Sequence, residues 1–276
     1  MALVVAVFRA SLAVTPLAVG AMLGPFATCA GYWLIHVLLA AIIAVGGIEQ
    51  GLLRRRAWIG MYLAPTGWLY GLLRGGIVIV ALEGCKATLL AVLLLLEALL
   101  WPPWLWLLLA LDIVVFAGLH QGLQRLFRRQ VRPGFEGMLS RSVLAKLHTI
   151  GLALVISFGL LFTPSYDYRD VSLLQAIEHA ATLAPVACAG LDLLARWFAA
   201  WHGAGWWLAQ HALMVDGVRP LAWLAWVVFL LASVAFTWGW TRLLNGALVD
   251  LAALYRLVTR LPPPPASGRT YDTAEI

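Results

Sequence analysis

WLIHVLLAAIIAVGGIEQGLLR (residues 33–54) and WLWLLLALDIVVFAGLHQGLQR (residues 104–125) are one phrase written twice, with nine of 22 positions identical at an offset of 71. Each copy opens on Trp, runs through an apolar stretch and closes on Gln-Gly-Leu-x-Arg. About 20 apolar residues, rising about 1.5 Å each, cross a bilayer core. Each copy therefore reads as one membrane-crossing helix. Arginine closes both, which predicts that both cross in the same direction.

The bulk composition agrees. Of 276 residues, 63% are hydrophobic and 12% are charged, against roughly 25% charged in a soluble domain. Mean hydropathy is +0.90. One core of this size cannot enclose so much apolar surface, so lipid must cover part of it. The expected fold is an all-α polytopic membrane protein with about six spans as three hairpins, at 3–24, 27–48, 75–99, 104–120, 148–164 and 221–243. Gly24-Pro25, Trp101-Pro102-Pro103-Trp104 and Thr163-Pro164 supply the breaks, because proline cannot continue a helix. Arg9 is the only early charge, so the N-terminus reads as a first span rather than a basic-headed signal peptide.

The formal charge of +6 does not point to nucleic acid, because most basic residues flank the apolar segments. Fourteen of them, from Arg54 to Arg269, fall on one side; Arg169, Arg196 and Arg219 fall on the other. That excess predicts both termini in the cytoplasm, as in a bacterial inner membrane. The organisation follows: 1–56 first hairpin; 57–73 interfacial or re-entrant segment; 74–120 second hairpin; 121–147 basic amphipathic connector. Residues 148–243 form a third hairpin with an external helical insertion, 165–218, and 244–276 a cytoplasmic helix and polar tail. In the insertion, Asp170 is a candidate cap, and Pro185 and Gly203/Gly205 are expected to split helices. Residues 182–201 are the one alternative span, made costly by Asp192 and Arg196. Along 118–132, Arg125, Arg128, Arg129 and Arg132 alternate with leucines, which suits an anionic inner leaflet.

Ionisable groups inside spans are the candidate chemistry. Glu83 and Lys86 lie one helical turn apart, and depth measured from the Pro102-Pro103 turn places His120 near them. With Glu97 and Asp112 they form a candidate ion or proton relay; a structural polar clasp between helices is the competing reading. His179, His202, His211 and Asp216 have no metal-ligand spacing. Cys29, Cys85 and Cys188 have no paired spacing, which predicts neither a disulfide nor a zinc site. His36 is the lone histidine well inside a span, so no haem pair offers itself, and no cofactor is expected.

Three motifs resemble known families in part. Val186-Ala187-Cys188-Ala189-Gly190 resembles the nucleophile motif of the exosortase/archaeosortase family, but no His follows His211. Arg125-x6-Arg132-Pro133 is similar to the first motif of the lipid phosphatases that use a His nucleophile, but Pro-Ser-Gly-His is absent. Glu49-Gln50-x3-Arg54 with Phe116-x3-His120 looks like fragments of the intramembrane CAAX-type protease pattern, without its second Glu. The expected function is therefore non-enzymatic. It is a membrane subunit that anchors other membrane proteins of an envelope complex, of secretion or conjugation type. The alternatives are a small transporter or channel using Glu83, Glu97 and Asp112, and an enzyme on lipid-linked substrates with Cys188 or His148 as nucleophile.

Overall fold

A computed structural model of the chain describes residues 2–22, 29–62, 76–131, 136–161, 166–183, 188–214, 219–251 and 254–255. Among the described residues the elements are all helical: α1 (Ala2–Met22), α2 (Cys29–Tyr62), α3 (Ile77–Ala98), α4 (Pro103–Phe127), α5 (Glu136–Leu161), α6 (Leu173–Thr182), α7 (Ala189–Met214) and α8 (Arg219–Ala247). Four stretches are long and apolar enough to cross a membrane: Cys29–Arg55, Ile77–Ala98, Pro103–Phe127 and Leu139–Leu160. Leu3–Val19 adds a shorter apolar helix. Their lipid-facing sides carry exposed residues such as Leu34, Leu89, Leu107, Leu154 and Phe158.

Several boundaries differ from the sequence reading. Helix α2 runs on past Glu49 and its arginines to Tyr62, and α4 runs past His120 to Phe127. Gln, Leu and Arg are good helix formers, so nothing at either membrane edge stops the helix. The connector 121–147 is thus divided between the end of α4 and the start of α5. Arg125 sits in the last turn of α4, and Arg128 and Arg129 follow it, exposed. Arg132, Pro185 and residues 63–75 lie outside the described residues.

Helix α7 passes through Gly203 and Gly205 unbroken, contrary to the expected split. Gly203 is there for close approach: a Cβ on it would run into Ala180 and the Ala176 carbonyl of α6. The cap of α6 is Ser172, not Asp170. The Ser172 hydroxyl accepts from the Gln175 backbone N–H at 3.3 Å, and the Gln175 side chain accepts from the Ser172 backbone N–H at 2.9 Å. This reciprocal pair satisfies two donors that a helix start otherwise leaves bare.

The core is built around α8. Trp240, Leu243 and Leu244 are fully buried, among Leu17 of α1, Leu39 of α2, Leu94 of α3, and Leu109 and Phe116 of α4. Leu244, the first residue of the expected cytoplasmic helix 244–276, instead belongs to this core. Helices α2 and α8 cross at backbone contact. A Cβ on Gly46 would sit 3.1 Å from the Cα of Gly246, and one on Gly246 would strike the Ile42 carbonyl. Small residues at such a crossing let apolar helices pack closely without a hydrophobic drive from water.

A smaller cluster of Tyr32, Leu96, Cys188, Ala195 and Ala199 joins α7 to the bundle. Here Cys29 and Cys188 are disulfide-bonded, with Cα atoms 4.8 Å apart across 159 residues of sequence. This corrects the expectation of no disulfide. Spacing along a chain says nothing about which helix ends meet in space.

Candidate functional site

Two polar layers lie between α4, α5, α8 and α2, inside the bundle. The deeper layer centres on Asp112 of α4. Its Oδ1 lies 2.8 Å from Nε2 of His148 on α5, and its Oδ2 accepts from the indole N–H of Trp240 on α8 at 2.8 Å. Nδ1 of His148 lies 2.9 Å from the Thr241 hydroxyl. All four residues are buried. The tautomer that satisfies every atom donates from Nε2 to Asp112 and accepts at Nδ1 from Thr241. Phe116 closes the layer edge-on to the His148 ring at 4.7 Å.

The second layer lies about 12 Å along α4, the rise of eight residues. Here the imidazole of His120 pairs with the Ser140 hydroxyl at 2.9 Å, and that hydroxyl also reaches the His120 carbonyl at 3.1 Å. The neighbouring Arg141 forms a buried ion pair with Glu49 of α2 and donates to the Leu248 carbonyl at 3.3 Å. Between the layers on α8, Asn245 is buried with neither amide atom hydrogen-bonded among the described residues.

The sequence-derived relay residues are placed in four separate settings. Glu83 and Lys86 form a 2.9 Å ion pair on α3, and Arg242 of α8 approaches the other Glu83 oxygen at 3.7 Å. Gly47 makes room for that carboxylate, since a Cβ there would collide with it. Asp112 and His120 belong to the two layers above, so His120 is bonded to Ser140 rather than to the Glu83 pair. Glu97 lies at the far end of α3, in a cleft beneath α7. Sequence reasoning missed His148 as the partner of Asp112, and Arg141 as the partner of Glu49. The signal was available: Asp112 lies 15 residues before the end of α4 and His148 12 residues after the start of α5, so both sit at nearly equal depth from one loop.

Chemically, the second layer sets the Glu49 carboxylate against the Arg141 guanidinium, and the deeper layer engages both Asp112 oxygens with His148 and Trp240. An unpaired carboxylate or guanidinium here would cost several kcal/mol. Among the described residues no group of three His, Cys, Asp or Glu could hold a metal ion. His179 and His211 instead stack on Tyr166 and Trp207, at 4.1 and 4.0 Å between ring centroids. Cys188, considered as a nucleophile, has its sulfur bonded to Cys29.

A chain whose elements among the described residues are all helical, four of them apolar and of spanning length, with buried polar pairs across its helices, fits the class of helical membrane proteins. Within that class no family model, no characterised protein and no solved structure matches the chain.

Proposed function

We propose that this protein is a non-enzymatic integral membrane subunit that anchors partner proteins in a larger envelope assembly. One observation carries the reading: α7 holds the Asp192–Arg196 ion pair, which is costly in lipid, yet it exposes Leu193, Leu194, Trp197 and Trp201. Bonded to α2 through Cys29–Cys188 and packed on α6 and α8, α7 is a fixed apolar platform, of the kind that interfaces use. The closed charge pairs of the bundle support the same reading, since a rigid frame needs its buried charges neutralised.

In this reading α1 and α8 join the four long apolar helices to make six spans in three hairpins. The basic ends of α2 and α4 lie in the cytoplasm of a bacterial inner membrane and face its anionic leaflet, with both termini inside. The disulfide then lies outside, where the compartment is oxidising. Crosslinking in native membranes followed by affinity purification tests the proposal. The expected result is one or a few stoichiometric partners, lost in Trp197→Glu. A chain that purifies as a stable monomer with no crosslinked partner overturns it.

A second reading, a small proton-coupled transporter or channel, is favoured specifically by the Asp112–His148 pair. It takes precedence if Asp112→Asn abolishes a transport activity while protein level and partners are unchanged.

A further inference from the structure

Glu97 differs from Glu49, Glu83 and Asp112, the other acids within the four apolar stretches of spanning length. It lines a cleft of about 70 Å³ between α7 and the end of the bundle, where α3 turns into α4 and where α5 and α8 also contribute. The polar lining includes Glu97, His202 and Ser233, and among the described residues neither lysine nor arginine borders the cleft. Burial holds the His202 imidazole below its ordinary pKa, which favours its neutral form. The other acids considered, Asp112, Glu49 and Glu83, each have a cationic or imidazole partner within the chain. For Glu97 the described residues supply none.

The remaining walls are aromatic and aliphatic, with Trp101, Trp201, Trp206 and Phe236 prominent. Trp101 is fixed edge-on to Trp106 at 4.7 Å and to Phe236 at 4.8 Å. We propose that this cleft binds a lipophilic organic ammonium ion, with Glu97 as its counter-ion and the tryptophans as its aromatic wall. Indole faces attract organic cations through the ring quadrupole, most strongly where water is excluded. An inorganic divalent ion is disfavoured, because Ca²⁺ and Mg²⁺ require about six or more oxygen ligands and the cleft offers one carboxylate and one hydroxyl. A space of about 70 Å³ holds a few waters or one ammonium head, since one water needs roughly 10–15 Å³ by that measure. The apolar part of the ligand would extend along the neighbouring aliphatic surface. The same chemistry is carried by a free amphiphilic amine and by the head group of a phosphatidylethanolamine or phosphatidylcholine lipid.

The test uses the full chain in nanodiscs of phosphatidylglycerol, a lipid without an ammonium group. Benzyltrimethylammonium is titrated in by calorimetry. The expected result is saturable binding near one per chain, weakened at least tenfold in Glu97→Gln and in Trp201→Ala and unchanged in Glu178→Gln, an exposed position on α6. The intact Cys29–Cys188 bond and the helical circular dichroism signal report folding, and Trp201→Ala decides the matter if Glu97→Gln does not fold. Repeating the titration with phosphatidylethanolamine or phosphatidylcholine in the disc separates the sources. Competition assigns the cleft to a lipid head group, and its absence assigns it to a free amine. Binding that does not saturate, or that is equal in wild type and both cleft variants, is partition into the anionic bilayer and overturns the proposal.

Discussion

Asp112 occupies the position that Ala41 holds in the first copy of the repeated phrase, and this exchange changes what the helix is for. Ala41 is exposed to the surroundings of the bundle, whereas Asp112 is buried with both carboxylate oxygens engaged. Removing the carboxylate leaves the His148 ring and the Trp240 N–H without their shared acceptor. Asp112→Ala is therefore expected to destabilise the bundle by about 3–5 kcal/mol, the usual cost of stripping one partner from a buried pair. Asp112→Asn should cost less, because its oxygen still accepts. Denaturant titration in detergent checks the order, and a double-mutant cycle with His148→Ala should show strong coupling. The acid was legible in the sequence as a costly intramembrane charge. Its partner was not, because depth had been measured from the Pro102-Pro103 turn, which relates α4 to α3, whereas Asp112 is answered across the other loop by α5.

At the scale of elements, sequence identity and packing part company. Leu34 and Leu38 are 62% and 43% exposed, while their counterparts Leu105 and Leu109 are 2% and 1% exposed. The phrase specifies an apolar helix with a basic end. The neighbours decide which of its faces is core, and an apolar face suits lipid and protein interior equally. That is why the existence of these helices was readable and their orientation in the bundle was not. The glycines make the contrast testable. Gly246→Val is expected to force α8 away from the Ile42 carbonyl and abolish a monodisperse product in size-exclusion chromatography. Gly122→Ala in α4 has open space around it and should leave yield and melting temperature unchanged. The short helix α6 offers a milder case. Ser172→Ala removes its capping box and should cost about 1 kcal/mol, seen as faster amide exchange confined to 173–182.

At the scale of the whole molecule, the Cys29–Cys188 bond ties the first half of the chain to the last third. Both cysteines are at helix starts, Cys29 opening α2 and Cys188 immediately preceding α7. Closing a loop of 159 residues removes much freedom from the unfolded chain, and a bond of this kind contributes about 2–4 kcal/mol. Cys29→Ser should lower thermal stability accordingly and loosen α7 first, since Cys188 anchors the cluster of Ala195 and Ala199. The bond also tests topology. The orientation proposed from the arginine-rich ends of α2 and α4 puts those ends in the cytoplasm and would put the opposite end of α2, with Cys29, outside. In intact cells a membrane-impermeant maleimide should label neither Cys29 nor Cys188 before reduction. After treatment with an impermeant reductant it should label both, with Cys85→Ser removing the one free thiol. Labelling that requires the membrane to be broken open would put the disulfide end inside and reverse the orientation drawn from the arginines.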